Sequence, residues 1–230
     1  TLSNPADPRV HFIYQSLNQL NEELKAFQSA IKIHHGQPEE VFRQLLVDFE
    51  IKNVFFNKDY EPYAIKRDRK IKELCSFHGV NVISAKDHVI FEENEILKSD
   101  GKPYTVFTPY SKKWKAAFQP INYPSEKYLN HFIQISVPLL SLSSIGFEKS
   151  NIQIPSKVVA QSLIRNYEAT RNFPGIHGTS RLGIHFRFGT ISVRDKAEKA
   201  SEISSTFLNE LIWRDFYAMI IYHFPEVTNS

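Results

Sequence analysis

An alternation of strand and helix constrains this chain more than any other feature. Between residues 38 and 84 the order is helix, NVFFN at 53–57, helix, and VNVIS at 80–84. Both helices, from about Pro38 to Phe49 and from about Pro62 to Phe77, open on a proline, whose missing amide costs nothing in a first turn. Upstream, Val10, Phe12 and Tyr14 alternate and predict a strand over RVHFIY at 9–14. Leu17, Leu20, Leu24 and Phe27 then predict a helix, and Ile31 passes into a short strand near 31–34. Strands separated by helices of this length require crossover connections. The first 110 or so residues therefore read as an α/β layer of Rossmann-like type with a mostly parallel sheet.

Past Lys98 the pattern changes. SDGKPY at 99–104 contains a turn, and FTPYSKKWKAAF predicts a short helix carrying Trp114. From Gln119 to Ser156 prolines and serines are scattered without sustained period, as in a long connector. Helical character returns from Val158, with short helices over 158–168 and 192–202 and a stronger one over 205–223. The expected organisation is an α/β domain over 1–118, a connector over 119–157 and the start of a helical domain over 158–230. The last helix has Leu208, Leu211, Ile212 and Met219 on its apolar side. Phe207, Glu210, Trp213, Arg214 and Tyr217 recur at spacings of three and four and can line another surface.

Composition removes several function classes. The lone cysteine, Cys75, cannot form an internal disulfide, and no apolar run approaches the roughly 18 residues of a membrane span. These features, with no signal-peptide pattern at the start, point to a soluble, cytoplasmic protein with no membrane partner. The opening at Thr1 rather than methionine reads as a missing beginning. Twenty-eight Lys and Arg against 25 Asp and Glu leave a net charge of +3, which permits a polyanionic partner without demanding one. There is no CxxC pair, HExxH, P-loop or serine nucleophile elbow. His34 and His35 are adjacent and diverge in a strand, while His177 and His185 lack ligands at metal spacing, so no metal site is expected. The first βα turn has no GxGxxG, which removes the main argument for a nicotinamide cofactor.

Two segments stand above this background. In HGTSRLGIHFRFGTIS at 177–192, small residues, two hydroxyls and a guanidinium follow one another. Such a turn can grip a phosphate, and it can equally cap a helix. In FLNELIWRDFY at 207–217, a glutamate, a tryptophan and an arginine can accept a hydrogen bond, stack on a flat ring and contact phosphate. An amphipathic helix with a half-buried tryptophan and a surface ion pair would look the same.

The chain resembles the DNA photolyases and their cryptochrome relatives. The likeness runs from VHFIYQSLNQLNEEL through NKDYEPYAIKRD, KPYTVFTPYSKKW and RNFPGIHGTSRLGIHFRFGTIS to NELIWRDFYAMIIYHFP, essentially all 230 residues. It implies an N-terminal α/β domain, a long connector and the first helices of an all-α FAD-binding domain. It also implies a longer parent with an opening strand and further helices, monomeric when intact, whereas these residues alone are inactive, bind FAD weakly or not at all and are prone to self-association. Tyr167, Thr179, Ser180, Arg181, Leu182 and Gly183 fall at flavin-contact positions, with Gly183 where serine is frequent. Phe207 stands where several members have a tryptophan beside the flavin. Arg171 matches a DNA-contact position, Glu210 and Trp213 match the pair that meets a flipped pyrimidine dimer, and Arg214 and Tyr217 extend that surface. Asp215 replaces the common glutamate. The implied activity is blue-light-driven electron transfer from reduced FAD to cyclobutane pyrimidine dimers in UV-damaged DNA, a deoxyribodipyrimidine photo-lyase. The alternative is a cryptochrome-like photoreceptor or signalling flavoprotein, and a nucleotide-binding α/β protein of another sort is a third class. Tyr63 and Ala64 stand where folate-using members have asparagine and glutamate, which argues against a folate antenna and leaves the antenna unassigned.

Overall fold

A carboxylate and a proline start the first helix. The computed structural model describes residues 2–120 and 131–228. Helix α1 (Pro8–Lys25) begins where Asp7 accepts the amide of Arg9 at 2.8 Å, with Pro8 in its first turn. The Arg9 side chain, bonded to the same carboxylate, holds Asp7 down to about 2. The strand expected over 9–14 is therefore part of this helix. Alternation of Val10, Phe12 and Tyr14 is compatible with either structure over six residues, and the cap at Asp7 with the helical period downstream decides it. The strand expected near 31–34 is also not formed. There the amide of Ile31 donates to the buried Asn21 Oδ1 at 2.9 Å, which ties the chain back to α1 instead of into a sheet ladder.

The next four elements follow the sequence reading: α2 (Pro38–Asp48), β1 (Asn53–Asn57), α3 (Pro62–Phe77) and β2 (Asn81–Ala85). The two strands pair in parallel from Asn53 opposite Asn81 to Asn57 opposite Ala85. Val54, Phe56 and Val82 pack against Ile71 and Cys75 of α3 and Phe42 and Leu46 of α2. Gly79, at φ +70°, makes the left-handed turn that lets the chain leave α3 and enter β2.

Helix α4 (Phe107–Ala117) follows the turn around Gly101. Among the described residues from 131 to 160, the regular structure is a 3-10 turn at Ser143–Ile145. Residues 121–130 of the expected connector lie outside the described residues. The helix expected over 158–168 divides at Asn166 into α5 (Gln161–Arg165) and α6 (Tyr167–Thr170). Then come α7 (Gly183–Arg187), α8 (Val193–Ile203) and α9 (Ser205–His223), before a 3-10 turn at Pro225–Thr228.

The larger core is built on α9. Leu208, Leu211, Ile212, Phe216 and Met219 are buried with Tyr110 and Trp114 of α4, Leu182, and Val193, Ala197 and Ala200 of α8. Each large apolar side chain fully removed from water contributes about 1.5–3 kcal/mol before entropy is subtracted. By contacts the chain forms two compact units, one of residues 1–37 with 122–156 and one of 38–121 with 157–230. Residues 157–223, with Phe107 and Trp114, belong to the second unit.

Candidate functional site

The site is organised by α9 and the segment from α6 to α7. Ser204 caps α9, its hydroxyl accepting the amide of Phe207 at 3.3 Å. Phe207 is buried and meets the Tyr167 ring edge-on, with centroids 5.1 Å apart at 85°. One turn further, Glu210 forms an ion pair with Arg171, the residue that ends α6. Both side chains are about one-third exposed, at 37% and 33%. The Arg171 guanidinium also lies 5.9 Å from the Tyr167 ring centre. Burial pushes the Tyr167 phenol up, Glu210 adds to that rise and Arg171 opposes it.

Trp213 continues this face. Its indole stacks flat on Phe107, with centroids 3.7 Å apart at 4°, and lies 5.3 Å from Tyr217 at 25°. Tyr217 is exposed. Tyr167, Arg171, Phe207 and Glu210 thus form one group of contacts and Phe107, Trp213 and Tyr217 a second, both built on α9, whereas the Arg214 guanidinium is held elsewhere. It donates to the carbonyls of His88 and, at 3.2 Å, Phe186. Burial lowers the Arg214 pKa.

The 178–183 turn is pinned beside α6. Thr170 Oγ1 donates to Gly178 O at 3.2 Å, and a Cβ on Gly178 would lie 2.4 Å from Thr170 O. Only a glycine allows that approach. Thr179 and Arg181 are exposed, Ser180 is half-buried and accepts the amide of Leu182 at 3.4 Å, and Leu182 is buried as the anchor. Arg181 has φ +53°, and Leu182 follows in the right-handed region. Adjacent left- and right-handed residues turn successive amides to one side, the local geometry of anion-holding turns. With two hydroxyls and the Arg181 guanidinium, which lies 3.3 Å from His177 Nδ1, the donor set fits a pyrophosphate.

Three features escaped the sequence reading. Asp215 is fully buried, and its carboxylate accepts the Trp114 indole N–H at 2.9 Å and the amides of Ile90 and Phe91 at 3.1 and 3.0 Å. Desolvation outweighs these donors and raises it to about 6. Phe107 is the second, as the ring beneath Trp213. The third is a cleft of about 420 Å³ at the carboxyl end of β1, lined by Asn57, Lys58, Asp59, Arg67, His88 and residues 186–189 and 191–193 among others. The carboxyl ends of parallel strands are a general location for ligands, a signal that could have found it. Burial, reinforced by Arg214, lowers the His88 pKa.

A family profile described as DNA photolyase matches residues 2–127. A deoxyribodipyrimidine photo-lyase of Halobacterium salinarum is 29% identical, over 100% of this chain and 53% of that protein. One from Synechococcus is 26% identical over 98% of this chain and 53% of its own length, and cryptochrome-1 of Rattus norvegicus is 23% identical over 94% and 43%. A class III photolyase structure from Agrobacterium tumefaciens superposes with a TM-score of 0.72 at 20% identity, covering 99% of this chain and 52% of that one. A photolyase structure from Sulfolobus tokodaii with two FAD molecules gives 0.71 at 22% identity over 98% and 51%. The strand-and-helix layer with its helical continuation is therefore the photolyase and cryptochrome fold. The chain belongs to the DNA photolyase family, and it spans about half the length of these curated relatives. Among the described residues, no helix is long and apolar enough to cross a membrane.

Proposed function

We propose that these residues are part of a deoxyribodipyrimidine photo-lyase that binds FAD and repairs cyclobutane pyrimidine dimers in UV-damaged DNA. The observation that carries the reading is the grouping of Glu210 and Trp213 on one face of α9, with Arg171 paired to Glu210 and the adjacent Thr170 bonded to the 178–183 turn. Thr179, Ser180 and Arg181 would hold the flavin pyrophosphate, with Leu182 and Gly183 shaping the turn. Tyr167 and Phe207 would supply apolar wall. When bound, the reduced flavin supplies the light-driven electron that splits the dimer. Trp213 would stack on the flipped lesion, with Tyr217 beside it, and Glu210 would accept its hydrogen bonds. Arg171 would add attraction to the DNA backbone, and Arg214, its guanidinium held by the carbonyls of His88 and Phe186, would add only the longer-range pull of its charge. Part of the same proposal is the division into an α/β domain over 1–118, a connector over 119–157 and the start of a helical domain over 158–230. So are a cytoplasmic location, a monomeric whole protein and self-association of these residues when alone. The antenna is left unassigned, with Tyr63 and Ala64 weighing against folate.

One observation favours the alternative of a cryptochrome-like photoreceptor. The family likeness extends to a cryptochrome over 94% of this chain. Blue-light repair of a thymine-dimer oligonucleotide by the whole FAD-loaded protein decides between them. Repair supports the photo-lyase, whereas flavin photoreduction without repair supports the photoreceptor.

A further inference from the structure

The Trp213 indole is held by more than its own helix. Phe107, Tyr110 and Trp114 lie at three- and four-residue spacing on α4 and run along Trp213, Phe216 and Asp215 of α9. Phe107 and Trp213 are parallel within 4°, with centroids only 3.7 Å apart. Aromatic pairs left to themselves prefer offset or edge-on arrangements, so this close overlap is imposed by the surroundings. Phe216 stands edge-on to both rings, at 81° and 80°, and closes the same side of the pair. The bond from Trp114 to Asp215 fixes α4 against α9 further along the same face. Phe107 is therefore pinned in the core margin, while Tyr217, the other ring beside the indole, is 56% exposed and tilted by 25°. Of the two rings beside the indole, Tyr217 is the one open to water and Phe107 the one packed against the core.

We propose that Phe107 is a positioning residue for lesion recognition, a flat platform that fixes the plane of the Trp213 indole before DNA arrives. This inference rests on the assignment of Trp213 as the lesion-stacking residue. A ring whose plane is preset loses less freedom on binding, so the platform strengthens binding of a flipped dimer without touching it. Undamaged duplex, which presents no flipped base, gains nothing from it.

The test uses the whole FAD-loaded protein with dimer-containing and undamaged oligonucleotides. Phe107→Leu keeps apolar volume and loses the flat ring, Phe107→Tyr restores it, and Trp213→Ala reports on the underlying assignment. Phe107→Leu should reduce the preference for dimer over undamaged DNA about three- to tenfold, the range expected for one aromatic pair. Affinity for undamaged DNA, FAD content and repair yield at saturating enzyme should stay unchanged, and Phe107→Tyr should recover the preference. If Phe107→Leu melts early, Phe107→Met takes its place in the same comparison. Equal loss on both DNAs, or no recovery with Phe107→Tyr, makes Phe107 a packing residue and overturns the platform. If Trp213→Ala abolishes the preference and Phe107→Leu leaves it at the parent value, the platform alone falls. If Trp213→Ala keeps the preference, the lesion-stacking assignment falls and the platform with it.

Discussion

Glu210 and Asp215 stand little more than a turn apart on α9, and the helix treats them in opposite ways. Glu210 is partly exposed and faces one movable cation, Arg171. Asp215 is sealed in the core and faces fixed N–H donors from α4 and the loop at 90–91. In the first place water screens the charge, so the carboxylate can exchange partners at little cost. In the second, desolvation makes every donor necessary. One helix thus carries an anchor on one side and a changeable surface on the other.

The largest effect should come from the anchor. Asp215→Ala leaves the Trp114 indole and the amides of Ile90 and Phe91 without their acceptor, and should destabilise the 230-residue chain by about 3 kcal/mol or more. Denaturant unfolding measures it. Asp215→Asn keeps one oxygen for the oxygen that takes most of these donors and should cost less than half as much. Equal losses from both substitutions would show that space-filling, not hydrogen bonding, is what Asp215 provides.

The same carboxylate should imprint a pH dependence. Its folded pKa is raised from 3.8 to about 6, chiefly by desolvation. Below about pH 4 it is protonated in both states, and its contribution is fully present. As pH rises toward 6 the unfolded chain releases this proton first, so the contribution is lost through that window, about 2–3 kcal/mol by linkage. Asp215→Asn should remove this term from the unfolding free energy measured between pH 4 and 7. An unchanged pH profile in that variant would place the titration elsewhere and erase the contrast with Glu210.

That contrast was only half legible in the sequence. The α9 boundaries and the shared face of Glu210 and Trp213 follow from local spacing, as do the elements from α2 to β2, where proline starts and apolar runs agree. Asp215 in the same string reads only as a retained charge. Its burial depends on partners more than 100 residues away, Trp114 among them. Phe107 was hidden for the same reason, because no local period shows which ring will lie beneath Trp213. The strand expected over 9–14 failed differently. There the local signal was ambiguous, and the deciding cap at Asp7 lay just outside the alternating residues.

On the exposed side, Trp213→Ala in the whole protein should weaken binding to a dimer-containing strand by about 1–3 kcal/mol, the usual worth of a lost base stack. Undamaged DNA should be little affected. Equal loss on both would make this face a general DNA-contacting or packing surface, and the division of α9 into anchor and recognition sides would be wrong.

The smallest effect on stability belongs to the ion pair. Arg171 and Glu210 are each about one-third exposed, so Arg171→Ala should change unfolding free energy by less than about 1 kcal/mol. Its effect on DNA should be larger than on folding, and of a different kind from that of Trp213. A phosphate is present in damaged and undamaged strands alike, so both affinities should fall by similar factors, and the slope of log affinity against log salt should flatten by about 1. Glu210→Gln removes the charge that holds Arg171 while keeping a hydrogen-bonding group. It should leave folding and FAD content intact and lower the repair yield at saturating enzyme, because a neutral amide meets the dimer differently when negative charge arrives there. If Glu210→Gln instead repairs as well as the parent, and Arg171→Ala destabilises the chain as much as Asp215→Ala, the pair is a second structural anchor and the two sides of this helix do the same job.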